Sequence, residues 1–159
     1  MKTLVVYYSR TGTTRALAQA LAEALDADID EVVLRNRRGP LGFLRALIDN
    51  LTHAEPAVAS KRDPANYDLV VVGSPVWAGG VASPLRSYLL QFGGVLKQVA
   101  AFCASGSGGD QAQWFEEVER LTGRRLVRRL SVSQDEVRGA RANDRLSGFL
   151  NPPSPSLAA

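Results

Sequence analysis

Two hydrophobic rhythms alternate along this chain. Lys2 to Tyr8 is apolar on both faces, as a central parallel strand should be. From Thr13 to Leu25 the period lengthens: Leu17, Leu21 and Leu25 fall on one stripe beside Ala18 and Ala24, predicting a helix. Ile29 to Leu34 reads as a second strand, and Arg35 to Pro40 as a charged turn ended by Gly39-Pro40. Leu44, Leu47, Ile48 and Leu51 stand at i, i+3, i+4 and i+7, so a second helix is expected there. Thr52 to Asn66 is polar, carries Pro56 and Pro64, and reads as an irregular connection.

Tyr67 to Gly73 is the strongest strand signal. The loop Ser74 to Ala82 follows, and its proline and two glycines resist regular structure. Ser83-Pro84 then supplies a cap and a first-turn proline for a helix striped by Leu85, Tyr88, Leu89 and Phe92, which Gly93-Gly94 stops. Gln98 to Ala104 is a fourth strand running into Ser105 to Asp110. Gln111 to Thr122 is a helix packing through Trp114, Val118 and Leu121, with Asp110 as its expected cap and Gln113 completing a capping box. Arg125 to Val132, with Leu126 and Leu130 among arginines, suits a sheet edge. Gln134 to Gly139 gives no clear signal, and Ala140 to Leu150 is a short last helix. Asn151 to Ala159, with three prolines, is expected to be a disordered tail.

Five strands alternating with helices predict a single α/β domain over residues 1–150. Its expected form is a three-layer α/β/α, doubly wound, five-stranded parallel sheet with right-handed crossovers and strand order 2-1-3-4-5. Ligands of such sheets sit beyond the carboxyl ends of the strands, where the order reverses. The chain's three unusual loops follow strands one, three and four, and that order brings them to one edge.

The first of these, Ser9-Arg10-Thr11-Gly12-Thr13-Thr14, offers four hydroxyls where a helix cap needs one. Successive backbone N–H groups, short hydroxyl side chains and a helix dipole together suit a phosphate. The loop is neither a Walker A sequence nor a Gly-x-Gly-x-x-Gly turn.

Bulk properties narrow the field. The chain has 159 residues and net charge +3, and arginine supplies 16 of the 19 cations, crowded into the last third. No nucleic-acid motif or interleaved aromatics accompany them, so they read as a solvated face. No apolar run approaches a membrane span, and the first residues show no signal-peptide pattern. The single cysteine, Cys103, excludes an internal disulfide, fits a cytoplasmic location and reads as a small buried hydrophobe. His53 reads as a surface residue, and no Cys/His spacing suggests a metal.

With these residues in view, the chain resembles the flavodoxin family. The resemblance is carried by Tyr8-Ser9-Arg10-Thr11-Gly12-Thr13-Thr14 and by Tyr67 to Gly79, more loosely by Cys103 to Gly109, and runs from about Met1 to about Leu150. It implies non-covalent FMN used in electron transfer. Ser9, Thr11, Gly12, Thr13 and Thr14, with the Arg10 backbone, would cradle the 5′-phosphate. Pro75, Val76, Trp77, Ala78 and Gly79 would line the flavin, with Trp77 stacking on it or edging it. Ser105, Gly106 and Gly109, in the stretch up to Asp110, would meet the pyrimidine edge through backbone groups. The Gly-Ser loop lacks the second flanking aromatic that many members carry, which leaves one ring face open to a substrate, a partner or a neighbouring subunit.

Two redox classes follow: an electron carrier serving a protein partner, placed slightly ahead, and an FMN-dependent NAD(P)H:quinone-type oxidoreductase. A flavodoxin-like interaction module without FMN is the third. No catalytic acid or base is visible. A cationic surround favours the reduced, anionic flavin by simple Coulomb attraction. Redox titration of the FMN-loaded protein is therefore expected to give a two-electron-reduced couple at higher potential than that of acidic carrier flavodoxins; an equally low potential would contradict the charge argument.

Overall fold

The computed structural model describes residues 1–34, 58–106, 108–139 and 142–151. In chain order come β1 (Thr3–Tyr7), α1 (Thr13–Leu25), β2 (Asp28–Glu31), β3 (Val33–Leu34) and β4 (Val58–Ala59). A 3-10 turn (Pro64–Asn66) precedes β5 (Leu69–Trp77) and β6 (Gly80–Val81), then α2 (Ser83–Phe92) and β7 (Gln98–Ser105). The chain continues through α3 (Ala112–Thr122), β8 (Leu126–Ser133), α4 (Gln134–Arg138) and α5 (Ala142–Leu150).

The main sheet has the order β2-β1-β5-β7-β8, all parallel, with β6 folded back antiparallel on β5. This is the expected 2-1-3-4-5 order. Side chains alternate along each strand. Leu4, Val6, Val70, Val72, Val99 and Ala101 therefore meet α2 and α3 on one face. Val5, Tyr7, Leu69, Val71, Ala100 and Phe102 meet α1 and α5 on the other. Leu69 to Val72 are fully or nearly fully buried, as a strand covered on both sides demands. Cys103 is buried too, and burial pushes its thiol up to about 12, consistent with an unreactive packing residue.

Several boundaries differ from the sequence reading. Ile29 to Leu34 is not one strand. Only Asp28–Glu31 joins the main sheet, Val32 is buried with its N–H on the Tyr7 carbonyl, and Val33–Leu34 turns away to pair with Val58–Ala59. Asp30 is buried and accepts from the Ser60 hydroxyl and the Lys61 and Arg62 amides, so the connection before β5 is more ordered than its composition suggested. Helix α2 is capped by Ala82, which puts Ser83 and Pro84 inside its first turn. Asp110 does not cap α3: the N-cap is Gln111, and no side chain caps it. Gln134–Arg138 is a helical turn with a complete Ser133/Glu136 capping box. The Arg35–Pro40 turn, the second helix through Leu51, His53, Ser107 and residues 152–159 of the tail lie outside the described residues.

Two packing features are testable. A Cβ on Gly73 would stand 2.0 Å from the Phe102 ring, its register partner on β7, whereas one on Gly94 would meet nothing within 4 Å. Gly73→Ala should therefore cost about 1–3 kcal/mol in urea unfolding, with Gly94→Ala near neutral. Glu119 accepts from the Leu126 amide (2.8 Å) and from Arg129 (2.9 Å), latching α3 to β8. The Leu126 bond, then Arg129, holds its carboxyl below the ordinary value, and backbone bonds from Lys2 and Ser133 do the same for Asp68 and Glu136. Since the unfolded chain takes up these protons at higher pH than the folded one, the stabilisation is present above pH ~5 and lost as pH falls toward ~3. Unfolding free energies measured across that window should fall with pH, and less steeply in Glu119→Gln.

Candidate functional site

The loop between β1 and α1 is shaped by its own backbone. Gly12 is the N-cap of α1 at φ 96°, in the left-handed region, and no side chain caps the helix. Neither Thr11 nor Thr13 is thus spent as a cap. The Gly12 N–H donates to Ser9 Oγ (3.1 Å), closing a tight turn. The first-turn amides of an α-helix have no partner within it, and the first turn of α1 carries no acidic residue. Thr14 is buried; Ser9, Gly12 and Thr13 are half-buried; Arg10 and Thr11 are exposed. Arg15 does not face the loop as a bare cation, because it is paired with Glu31 at 2.7 Å. Burial raises the Tyr7 hydroxyl, and a hydrogen bond with Arg15 partly offsets this.

The second loop is more regular than expected. β5 runs through Pro75 and Val76 to Trp77, Ala78 and Gly79 turn the chain, and β6 returns with Val76↔Val81 and Trp77↔Gly80 in register. Ala78 (φ 48°) and Gly79 (φ 79°) are both left-handed, the requirement of a two-residue type I′ hairpin. Alanine there costs about 1 kcal/mol. The Ala82 N–H donates to Ser74 Oγ at 3.4 Å, and Ser74 donates to the Pro75 carbonyl at 2.8 Å.

Glu117 on α3 also holds this hairpin. Its buried carboxylate accepts the Val81 N–H through Oε2 at 2.8 Å, and Oε1 is ion-paired with Arg86 on α2 and lies 3.9 Å from Arg120. A Cβ on Gly80 would stand 2.9 Å from Glu117 Oε2, and one on Gly79 3.5 Å from Gln113, one turn earlier on α3. Stranding the buried Val81 N–H would cost about 1–3 kcal/mol. Sequence reasoning missed Glu117, although a signal was present: it stands three residues after Trp114, on the same apolar stripe as Val118 and Leu121.

Among the described residues, three bonds hold the third loop. Gly108 N–H donates to the buried Ser105 Oγ (3.0 Å), Gln111 to the Gly108 carbonyl (3.0 Å) and Ser131 to the Gly109 carbonyl (3.2 Å). Gly108 (φ 70°) and Gly109 (φ 86°) need the freedom that glycine has. Gly106 and Gly109 are exposed, with nothing within 4 Å of a built Cβ. Beyond them a cleft of about 530 Å³ runs along the end of β8, between Phe115 and Phe149 and past Arg129, Glu136 and Arg145.

The loops after β1 and β5 meet directly. Tyr8 N–H donates to the Gly73 carbonyl (3.0 Å), and the Tyr8 ring stands edge-on to Trp77, centroids 5.6 Å apart at 86°. The loop after β7 leaves beside them, since Pro75 pairs with Ala104. Among the described residues no group of His, Cys, Asp and Glu could hold a metal, and no helix is long and apolar enough to cross a membrane.

The fold is similar to a flavoprotein in complex with FMN from Lactobacillus acidophilus NCFM (24% identity, 91% of this chain and 97% of that one covered, TM-score 0.63). It is also similar to an NADH:FMN oxidoreductase (EMOB) in its apo form (19%, 100% and 100%, TM-score 0.53). Oxidised Flavodoxin 2 from Bacillus cereus is a further neighbour (18%, 94% and 95%, TM-score 0.56). The sequence itself matches NADPH-dependent FMN reductases over residues 1–144, a span that contains all three loops and every strand of the main sheet. The chain therefore belongs to the NADPH-dependent FMN reductase family, as a flavodoxin-like flavoprotein whose cofactor is FMN.

Proposed function

We propose that the protein is an FMN-dependent oxidoreductase that draws reducing equivalents from NAD(P)H and passes them to an acceptor such as a quinone or a redox partner protein. When bound, FMN supplies the redox chemistry, which is why no acid or base is needed among the side chains. Family membership favours this reading over the electron carrier that the sequence alone put first.

The observation that carries the cofactor site is the start of α1 at Gly12, free of any side-chain cap and four residues after Tyr8, whose ring stands edge-on to Trp77. In this reading the Thr13 and Thr14 amides and the Ser9, Thr11 and Thr13 hydroxyls hold the phosphate, with Arg10 contributing its backbone. Gly12, in open space, leaves the approach clear. The phosphate dianion is bound by dipoles, because the nearest helix cation, Arg15, is tied to Glu31. Pro75, Val76, Trp77, Ala78 and Gly79 form a stiff wall for the ring and keep water from its inner side. Ser105, Gly106 and Gly109 offer the pyrimidine edge backbone groups on a loop already pinned by Ser131 and Gln111.

The test starts from apoprotein with FMN added and its visible spectrum recorded, followed by NADPH under anaerobic conditions. Prompt bleaching is expected; a bound flavin that only dithionite or a reductase partner reduces would make the protein a carrier, and failure to bind FMN would sink both. If two charge-assisted bonds to the phosphate contribute about 1.5 kcal/mol each, riboflavin should bind about 100-fold more weakly than FMN. Trp77→Ala should weaken FMN by about tenfold, the loss of one aromatic contact. Fluorescence titration measures both.

A further inference from the structure

We propose that Glu117 is a positioning residue for the flavin, holding the Trp77–Val81 hairpin at the angle in which Trp77 and the Ala78–Gly79 turn form the ring wall. The inference rests on the cofactor reading above and deepens it.

Four observations converge on this carboxylate. It is buried on the largely apolar inner face of α3, with Trp114, Phe115 and Val118, where a carboxylate is retained only with partners. One oxygen accepts the Val81 N–H, a bond between residues 36 positions apart, and the other pairs with Arg86. Gly80 lies so close that a Cβ would stand 2.9 Å from Oε2, so the carboxylate and the hairpin backbone are packed against each other with no slack. The element it grips is a two-residue turn with a left-handed alanine, which by itself is strained and short. A two-stranded ribbon of this size needs an external hold to keep one orientation. Glu117 supplies that hold from α3 while Arg86 ties the same carboxylate to α2, the helix that the hairpin enters. Glu117 is thus linked at once to the turn and to both helices of that face. No contact between Glu117 and the flavin is required; its effect passes through Val81 to Trp77.

The test uses the full-length protein, with Glu117→Leu, Glu117→Gln and Gly80→Ala. Amide exchange is followed at Val81 and, as an internal control, at Val71 in β5. FMN affinity and the visible circular dichroism of bound FMN are measured well below the melting temperature. Glu117→Leu is expected to speed Val81 exchange by about tenfold or more with Val71 unchanged, to weaken FMN by a similar factor, and to alter the flavin dichroism. Glu117→Gln keeps an acceptor for Val81 and should restore affinity and dichroism to within about threefold of the wild type. Gly80→Ala pushes the carboxylate away without removing it and should behave like Glu117→Leu; it decides the matter if the leucine variant does not fold. Wild-type affinity and dichroism in Glu117→Leu or Gly80→Ala, whatever happens to the melting temperature, would overturn the positioning role and leave the cofactor site standing. A wild-type protein that binds no FMN would overturn the cofactor reading itself, and the positioning role with it.

Discussion

β1, β5 and β7 pair parallel to one another, so all three leave the sheet at the same end. That constraint creates the candidate site. It brings Tyr8, Trp77 and Ser105 to a common rim from three distant parts of the sequence, and the register Tyr7↔Gly73 and Pro75↔Ala104 sets how far each loop reaches past the sheet. The aliphatic runs buried on both faces make the three strands a rigid base. Loops on such a base can be precise while remaining short.

Precision at the rim, as elsewhere in the fold, comes from side chains that grip backbone amides. Glu117 holds Val81, Glu119 holds Leu126, Glu136 holds Ser133, Asp30 holds Lys61 and Arg62, and Ser9 and Ser105 hold the glycines of their own loops. The arginines serve these carboxylates: Arg86 on Glu117, Arg129 on Glu119, Arg145 on Glu136. Exposed ion pairs add little stability by themselves. Their role here is to keep acceptor oxygens oriented, which accounts for part of the arginine-rich final third without invoking a polyanionic partner.

Much of the architecture was legible because β-branched runs and helical stripes report burial locally. Leu69 to Val72 could only be an inner strand, and Leu17, Leu21 and Leu25 only one face of a helix. What misled were stretches whose state depends on a distant partner. Val33–Leu34 leaves the main sheet because Val58–Ala59 is there to receive it. Pro75 to Val81 looks like a loop by composition, yet becomes a hairpin once β7 supports the end of β5 and α3 supplies Glu117. Asp110 has the side chain of a cap, but α3 begins after Gln111, and the preceding glycines are committed to the left-handed turn that Ser105 and Ser131 hold.

The succession of strands and helices, the strand order and the hydroxyl-rich loop of a mononucleotide-binding fold could all be read from residue order, because each follows from periodicity, turn chemistry or chain connectivity. Folding in space settled the rest: that a left-handed Gly12 rather than a threonine begins α1, that Trp77 stands edge-on to Tyr8, and that a glutamate on an apolar stripe is the grip on the hairpin. The last two are contacts between groups brought together by packing, and neither partner's local sequence contains the other.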